Sequence, residues 1–433
     1  MLVRNSRPLR WVAMVTSLSG CAEDSASRSA PTGVTVTDSA DIRILEVGGE
    51  VLDTLPEWSL SDDTAVTMGV NTGDDPYLFG LIAGAIRLPS GEIVIVDEHG
   101  LEFRVFGPDG VFRRAFGREG EGPGEFRRVV FMRKLGDGGF AVFDSSLNRL
   151  TFFDDHAVLV ESRSSACSSV LTQALRGRGA LRCYFDGLVG DGTSFWYGPQ
   201  EPDEPEPAPR HNVVRRYPGK THILALEVDD GIELIDSGSA RSWARISRTV
   251  GGMLAVWGVP ELFSPHGHRA FGPHGLALAE SERWEVRFRD SSGVLKRILR
   301  VRKEPEIVTR AHIDAIVGAV GTPASLSPAD LALQYLNTVP TGGRVPFFSE
   351  LRFDDSGRLW IADYVPSPIL VNTEELRWTI LDENAFPLAR MTTGPSDDIL
   401  EIGDDYMLLR ERDEMDVERV AMYRIERFMK EMR

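Results

Sequence analysis

The chain has 433 residues, 42% of them apolar and 26% charged, with 42 Gly, 25 Pro and 3 Cys. That composition excludes a collagen-like, coiled-coil or wholly disordered chain, and the length is ample for a core without disulfide or metal staples. Lys and Arg number 48 against 65 Asp and Glu, a net charge of −17, which repels phosphate backbones and anionic surfaces and argues against nucleic acid as a partner.

Residues 1–20 read as an export signal. Arg4, Arg7 and Arg10 form a basic start, Trp11 to Val15 an apolar stretch, and Ser17, Ser19 and Gly20 a small-residue end. The apolar run is far short of the roughly 20 residues that a membrane-spanning helix needs. It ends Leu18-Ser19-Gly20-Cys21, which resembles a bacterial lipobox and makes Cys21 the expected site of lipidation. Residues 21–37 would then be a small, polar tether carrying the folded body, 38–433, on a lipid anchor. Ala22 follows the cysteine with no acid beside it, resembling the pattern of lipoproteins sent to the outer membrane; the outer membrane or periplasm is the expected location.

From residue 80 the chain repeats. An apolar run, a Gly turn and a second apolar run ending in Asp recur at Ala85–Asp97, Val129–Asp144 and Leu351–Asp363, each with six positions from Gly to Asp: 91 to 97, 138 to 144 and 357 to 363. Weaker copies run from Gly192, Gly275 and Asp405. Asp-Gly and Ser-Gly pairs then separate further short strands, such as Phe103 to Phe106 and Val111 to Phe116, as hairpins require. Four short strands repeating every 40–50 residues describe a propeller blade. The second strand is apolar at consecutive positions, Ile93 to Val96, as expected where neighbours cover both faces. The reading is all-β: a six-bladed propeller, with a helical insertion at 306–337 between the fourth and fifth units. There Ile313, Ile316, Val317 and Val320 have helical spacing, and Ser327-Pro328 opens a second helix. Residues 201–209, acidic and Pro-rich, cannot join a sheet.

The run Phe116-Gly117-Arg118-Glu119-Gly120-Glu121-Gly122-Pro123-Gly124-Glu125-Phe126, after Phe106-Gly107-Pro108-Asp109-Gly110, resembles the connection between NHL-type repeats. More closely it resembles the bacterial six-bladed β-propeller lipoprotein family, as does the lead-in Asp38 to Ile44. The resemblance covers most of 38–426 and implies a propeller and export, with no catalytic residues to carry over.

Residues that would carry chemistry are few. The Gly-rich 117–124 enters a strand without a following Lys-Ser/Thr, so it reads as a turn between blades and not a phosphate cradle. His266, His268 and His274 are close in sequence, but no acid nearby completes a ligand set. Asp97, Asp144 and Asp363 end second strands, and with Glu125 they are the candidates for a ligand-binding face. A ring of such carboxylates would suit Ca²⁺, though a periodic Asp more often accepts backbone N–H groups of the next turn. Otherwise no cofactor is expected. Cys167 and Cys183 either pair, closing a loop of about 15 residues for roughly 3 kcal/mol, or stay separate thiols. The expected function is binding of a protein, peptide or glycan at the cell envelope without catalysis. The alternative is a lactonase-like hydrolase or lyase holding a metal in the central channel. Finally, the last unit lacks a strand, and residues from 42–68 are expected to supply it, since an open edge invites aggregation.

Overall fold

The computed structural model describes residues 33–427, except 71–72, 74, 165–168, 178–183, 200–212, 218–220, 229–230, 251–252, 321–332, 368–374 and 396–397. Cys21, Cys167, Cys183, the acidic Pro-rich segment and the start of the second expected helix lie outside the described residues.

Strands dominate, and most belong to six antiparallel sheets that follow one another along the chain. Sheet 1 holds Ile82–Arg87, Ile93–Asp97, Glu102–Phe106 and Phe112–Phe116; sheet 2 holds Val129–Lys134, Phe140–Asp144, Arg149–Phe153 and Leu159–Ser164. Sheet 3 runs Tyr184–Leu188, Ser194–Pro199, Thr221–Val228 and Gly231–Ser239; sheet 4 runs Gly267–Phe271, Gly275–Glu280, Glu285–Asp290 and Leu295–Arg302. Sheet 5 comprises Phe348–Phe353, Leu359–Asp363, Leu376–Leu381 and Pro387–Thr393, and sheet 6 Ile399–Ile402, Tyr406–Arg412 and Glu418–Arg427.

The first hairpin of sheets 1, 2, 3 and 5 is the same device. Gly91, Gly138, Gly192 and Gly357 lie at φ between +83° and +91°, and in each the Gly N–H returns to the carbonyl three residues earlier, as Gly91 does to Leu88 at 2.9 Å. This is a type I turn closed by one left-handed residue, a conformation that taxes any side chain with a Cβ. The second strands that follow are buried at consecutive positions in Ile93–Asp97 and Phe140–Asp144, whereas the fourth strand of sheet 2 is almost wholly exposed. Between sheets 1 and 2, Phe103, Phe116, Phe126, Phe140 and Phe153 interlock, with Phe140 stacked on Phe153 at 4.7 Å between ring centres. Aromatic pairs of this kind add about 0.5–1.5 kcal/mol each beyond their buried area.

The inner turns also join sheet to sheet. Gly136 N–H donates to Gly190 O at 2.8 Å, Gly190 N–H to Gly272 O at 3.1 Å and Asp355 N–H to Ile402 O at 3.0 Å. At Gly190 any Cβ would strike the Pro273 backbone, so the close approach of sheets 3 and 4 demands glycine there. Sheet 6 meets sheet 1 through side chains: Glu418 accepts Ile82 N–H at 2.6 Å and Glu401 accepts Arg87 N–H at 2.8 Å.

The N-terminal strands go to two places. Val66–Met68 pairs antiparallel with Glu418–Arg427 and supplies a fourth strand to sheet 6. Glu57–Leu60 lies between Pro387–Thr393 (parallel) and Glu418–Arg427 (antiparallel), fusing sheets 5 and 6 into one hydrogen-bonded array. Trp58 there is 7% exposed and packs edge-on against Trp360 at 6.5 Å. The more strand-like stretch, Ile42–Gly48, does not serve the last sheet. It adds in parallel to Leu295–Arg302 of sheet 4, with Val34–Ser39 beyond it, because its alternation buries Leu45 and Val47 against Val286, Leu299 and Val301.

A three-stranded sheet, Val213–Tyr217, Trp243–Val250 and Met253–Pro260, stands apart from the six. The helix Arg310–Val320 packs Ile313 and Ile316 with Tyr335 and Leu336 against Ala244, Ile246 and Val259 of that sheet. No helix among the described residues is long and apolar enough to cross a membrane.

Candidate functional site

The first strand of each of the six sheets borders one central cavity of about 1010 Å³. Since second strands run back antiparallel, one end of this cavity carries the inner turns and the other, the mouth, carries the loops that lead into first strands.

Asp97, Asp144 and Glu125 do not line the cavity, and neither does Asp363. The Asp97 carboxylate accepts N–H groups of Gly80, Leu81 and His99 at 3.3, 3.4 and 3.1 Å and meets Arg104 at 3.4 Å. Asp144, fully buried, accepts those of Arg127, Arg128, Ser146 and Leu147 at 2.6–3.2 Å. Both carboxylates tie the end of a second strand to the segment entering the first, which spends their lone pairs on backbone. Ser281 does the same in sheet 4, its Oγ accepting His266 N–H at 3.0 Å. Asp363 departs from the pattern and pairs with Arg390 at 2.6 Å. Glu125 closes its own glycine loop, accepting Glu121 and Gly122 N–H at 3.1 and 2.9 Å and holding Arg118 at 2.6 Å. These contacts, the Gly122 amide foremost, keep its carboxyl below the usual range. The carboxylates thus do not converge as a ring for Ca²⁺.

At the turn end, Lys134 of sheet 2 reaches across to Asp355 after sheet 5 at 2.5 Å and to Glu401 of sheet 6 at 3.0 Å. Its ammonium also lies 3.2 Å from the Tyr406 hydroxyl, which donates to Glu401 at 2.7 Å. Burial works to lower the Lys134 pKa, and the two carboxylates overcome it and raise it. Glu401, with 6% of its side chain exposed, is pushed up to about 7 by burial, with Lys134 opposing the rise. A carboxyl poised near neutrality beside an amine is able to hold or pass a proton.

At the mouth, Arg241 donates to His266 Nε2 from Nε (3.3 Å) and Nη2 (3.1 Å). His266 Nδ1 lies 3.1 Å from Ser264 O. His268 stacks on His266 at 4.2 Å; burial first, then His266, Arg241 and Arg269, hold its pKa well below the usual range. Its Nε2 is buried with no hydrogen-bond partner. Arg269 pairs with Asp186 at 2.5 Å. The three histidines close in sequence all border the cavity, His266 and His268 half-buried and His274 exposed in its turn. Their sequence spacing gave no sign of this, because it depends on the strand that starts at Gly267. Lys134, Asp355, Glu401 and Arg241 were likewise not singled out; an acid or base within a first-strand segment was the available signal.

Among the described residues, the one group of three potential ligand side chains with metal-binding spacing is Asp154, Asp155 and His156, on a hairpin turn of sheet 2. Asp154 there already accepts His156 and Val158 N–H at 2.9 and 2.8 Å. The cavity histidines do not form such a group.

No protein-family model and no curated protein matches the chain. Among solved structures, an exported protein of Bacteroides fragilis is similar at 12% identity over 87% of this chain and all of that one, with a TM-score of 0.40. A DUF4221 family member from Bacteroides vulgatus is similar at 10% identity over 87% and 100%, TM-score 0.43. A catalytically inactive virginiamycin B lyase from Staphylococcus aureus, solved with quinupristin, is similar at 10% identity over 85% and 99%, TM-score 0.34. At such scores the likeness bears on neither residues nor activity; the strand pairing above carries the fold.

Proposed function

We propose that the chain is a lipid-anchored, exported six-bladed β-propeller that binds a ligand in its central cavity without covalent chemistry. The six sheets are the blades, each adjacent pair joined through inner turns or first strands, and the helix Arg310–Val320 belongs to an insertion between the fourth and fifth. The anchor is an acylated Cys21 in the cell envelope, most simply the outer membrane. One observation carries the ligand-binding reading: a cavity of about 1010 Å³, bordered by all six sheets, of the size that binding sites for small molecules and short oligomers reach.

The test is what the protein carries out of the envelope. Val130 lines the cavity and is 49% exposed, so Val130→Trp thrusts a bulky ring into the space where a ligand would sit without disturbing the core. Mass spectrometry of extracts is expected to find a ligand on the purified wild type and none on the variant at unchanged melting temperature. Equal ligand content, or a tightly held stoichiometric metal by elemental analysis, would overturn the reading. For the anchor, Cys21→Ser is expected to release the protein from the membrane fraction or leave it unprocessed; equal retention would count against lipidation.

A further inference from the structure

The charge of the cavity wall runs against that of the chain. In a protein of net charge −17, six Arg or Lys line the cavity against four Asp or Glu. Lys134 and Arg269 are matched within the wall, as described. Arg133 and Arg241 are not: among the described residues, neither has a carboxylate within ion-pair distance. Arg133 Nε is buried without a partner. Burial pushes this guanidinium down to about 10, and Asp355, already held by Lys134, acts on it only at longer range. Arg241 turns two N–H groups to the His266 ring, which is no anion, and burial lowers it too. A cation withdrawn from water without a counter-charge is costly, and a fold that keeps two such groups on one cavity leaves their partner to come from outside.

We infer that the cavity takes a small organic anion, drawn by the unmatched guanidinium groups of Arg133 and Arg241 on its wall, which offer their N–H donors to its carboxylate or phosphate oxygens. This rests on the proposed cavity-binding function and names the chemical class of the ligand. A planar guanidinium presents paired N–H donors that match either oxyanion. The cluster around Lys134, one amine facing two carboxyls, brings no surplus positive charge, so the attraction belongs to the two unmatched arginines.

Calorimetric titration of the full-length protein with citrate, inorganic phosphate and D-glucuronate, against D-glucose as neutral control, tests this. The anions are expected to bind at millimolar concentration or tighter, with affinity falling as salt rises, and glucose is not. Arg133→Gln and Arg241→Gln should each weaken citrate about tenfold, the equivalent of one charge-assisted hydrogen bond. Thermal unfolding guards against a misfolded variant: without ligand, each should melt at or above the wild-type temperature, because an uncompensated charge has gone. Failure of every anion to bind wild type, equal binding of glucose and glucuronate, or unchanged citrate affinity in both variants would overturn the assignment. If Val130→Trp loses the co-purified ligand while both arginine variants keep it, the cavity reading stands and the anion falls. If Val130→Trp also keeps it, both fall.

Discussion

The Lys134 cluster and Arg241, toward opposite ends of the central cavity, handle buried charge in opposite ways. At the turn end, Lys134, Asp355, Glu401 and Tyr406 come from three sheets and satisfy one another. At the mouth, Arg269 is matched by Asp186, but Arg241 turns to His266 with no carboxylate within ion-pair distance among the described residues, and His268 Nε2 is buried without a hydrogen-bond partner. The difference teaches which charges serve the fold. A matched cluster whose members lie far apart in the chain works as a strut across the channel, while an unmatched one is paid for by the rest of the molecule and must be explained by something else.

Breaking the strut should have the largest effect. Lys134→Met leaves two acids facing each other and is expected to cost about 3–5 kcal/mol at pH 8, as removal of one partner from a buried ion pair does; denaturant titration measures it. At pH 5 the loss should shrink, because Glu401 then carries a proton. Next in size is Asp144→Ala near the mouth, which orphans four backbone N–H groups and is expected to cost about 2 kcal/mol. Glu401→Gln sharpens the contrast by its pH profile. The Glu401 carboxyl titrates near 7 when folded against 4.5 unfolded, so the folded state binds the extra proton and wild-type stability falls as pH rises between these values. The raised Lys134 pKa acts in the same direction, but only above its ordinary 10.5, outside this window. The glutamine variant should flatten the slope in melting temperature from pH 4.5 to 7, and an unchanged slope would count against Glu401 as its source. Smallest is Arg241→Met, expected within about 0.5 kcal/mol of wild type in the absence of ligand.

The repeat was the most legible feature of the sequence. Glycines 91, 138 and 357 with an Asp six positions on mark the same hairpin in three sheets, since one backbone conformation admits few residues. The consecutive apolar second strands were legible for a similar reason, two-sided burial. The destination of the N-terminal strands was half legible. That the last sheet needed a strand followed from its count, but Ile42–Gly48 looked the better candidate and joined sheet 4, while the short Val66–Met68 filled the gap. Alternation says that a strand has a buried face and says nothing of which edge receives it. The three-stranded sheet at 213–260 was not foreseen, because it lies outside the repeat phase. The cavity residues were the least legible. Lys134, Asp355 and Glu401 lie in different sheets, and their meeting depends on how those sheets are arranged about the cavity.

The strand Glu57–Leu60 also governs the order of events in folding. Its partners are Pro387–Thr393 and Glu418–Arg427, so Trp58 is aligned with Met391 on one side and Arg427 on the other. Four of the sheets are built from neighbouring hairpins that can zip locally, but this seam waits until nearly the whole polypeptide has emerged. Such long-range pairing makes for slow, late completion. The chain would therefore spend its first moments as an incomplete array, with the fused edge of sheets 5 and 6 exposed, and its yield would be set by how fast its two extremities find each other before another molecule's edge does.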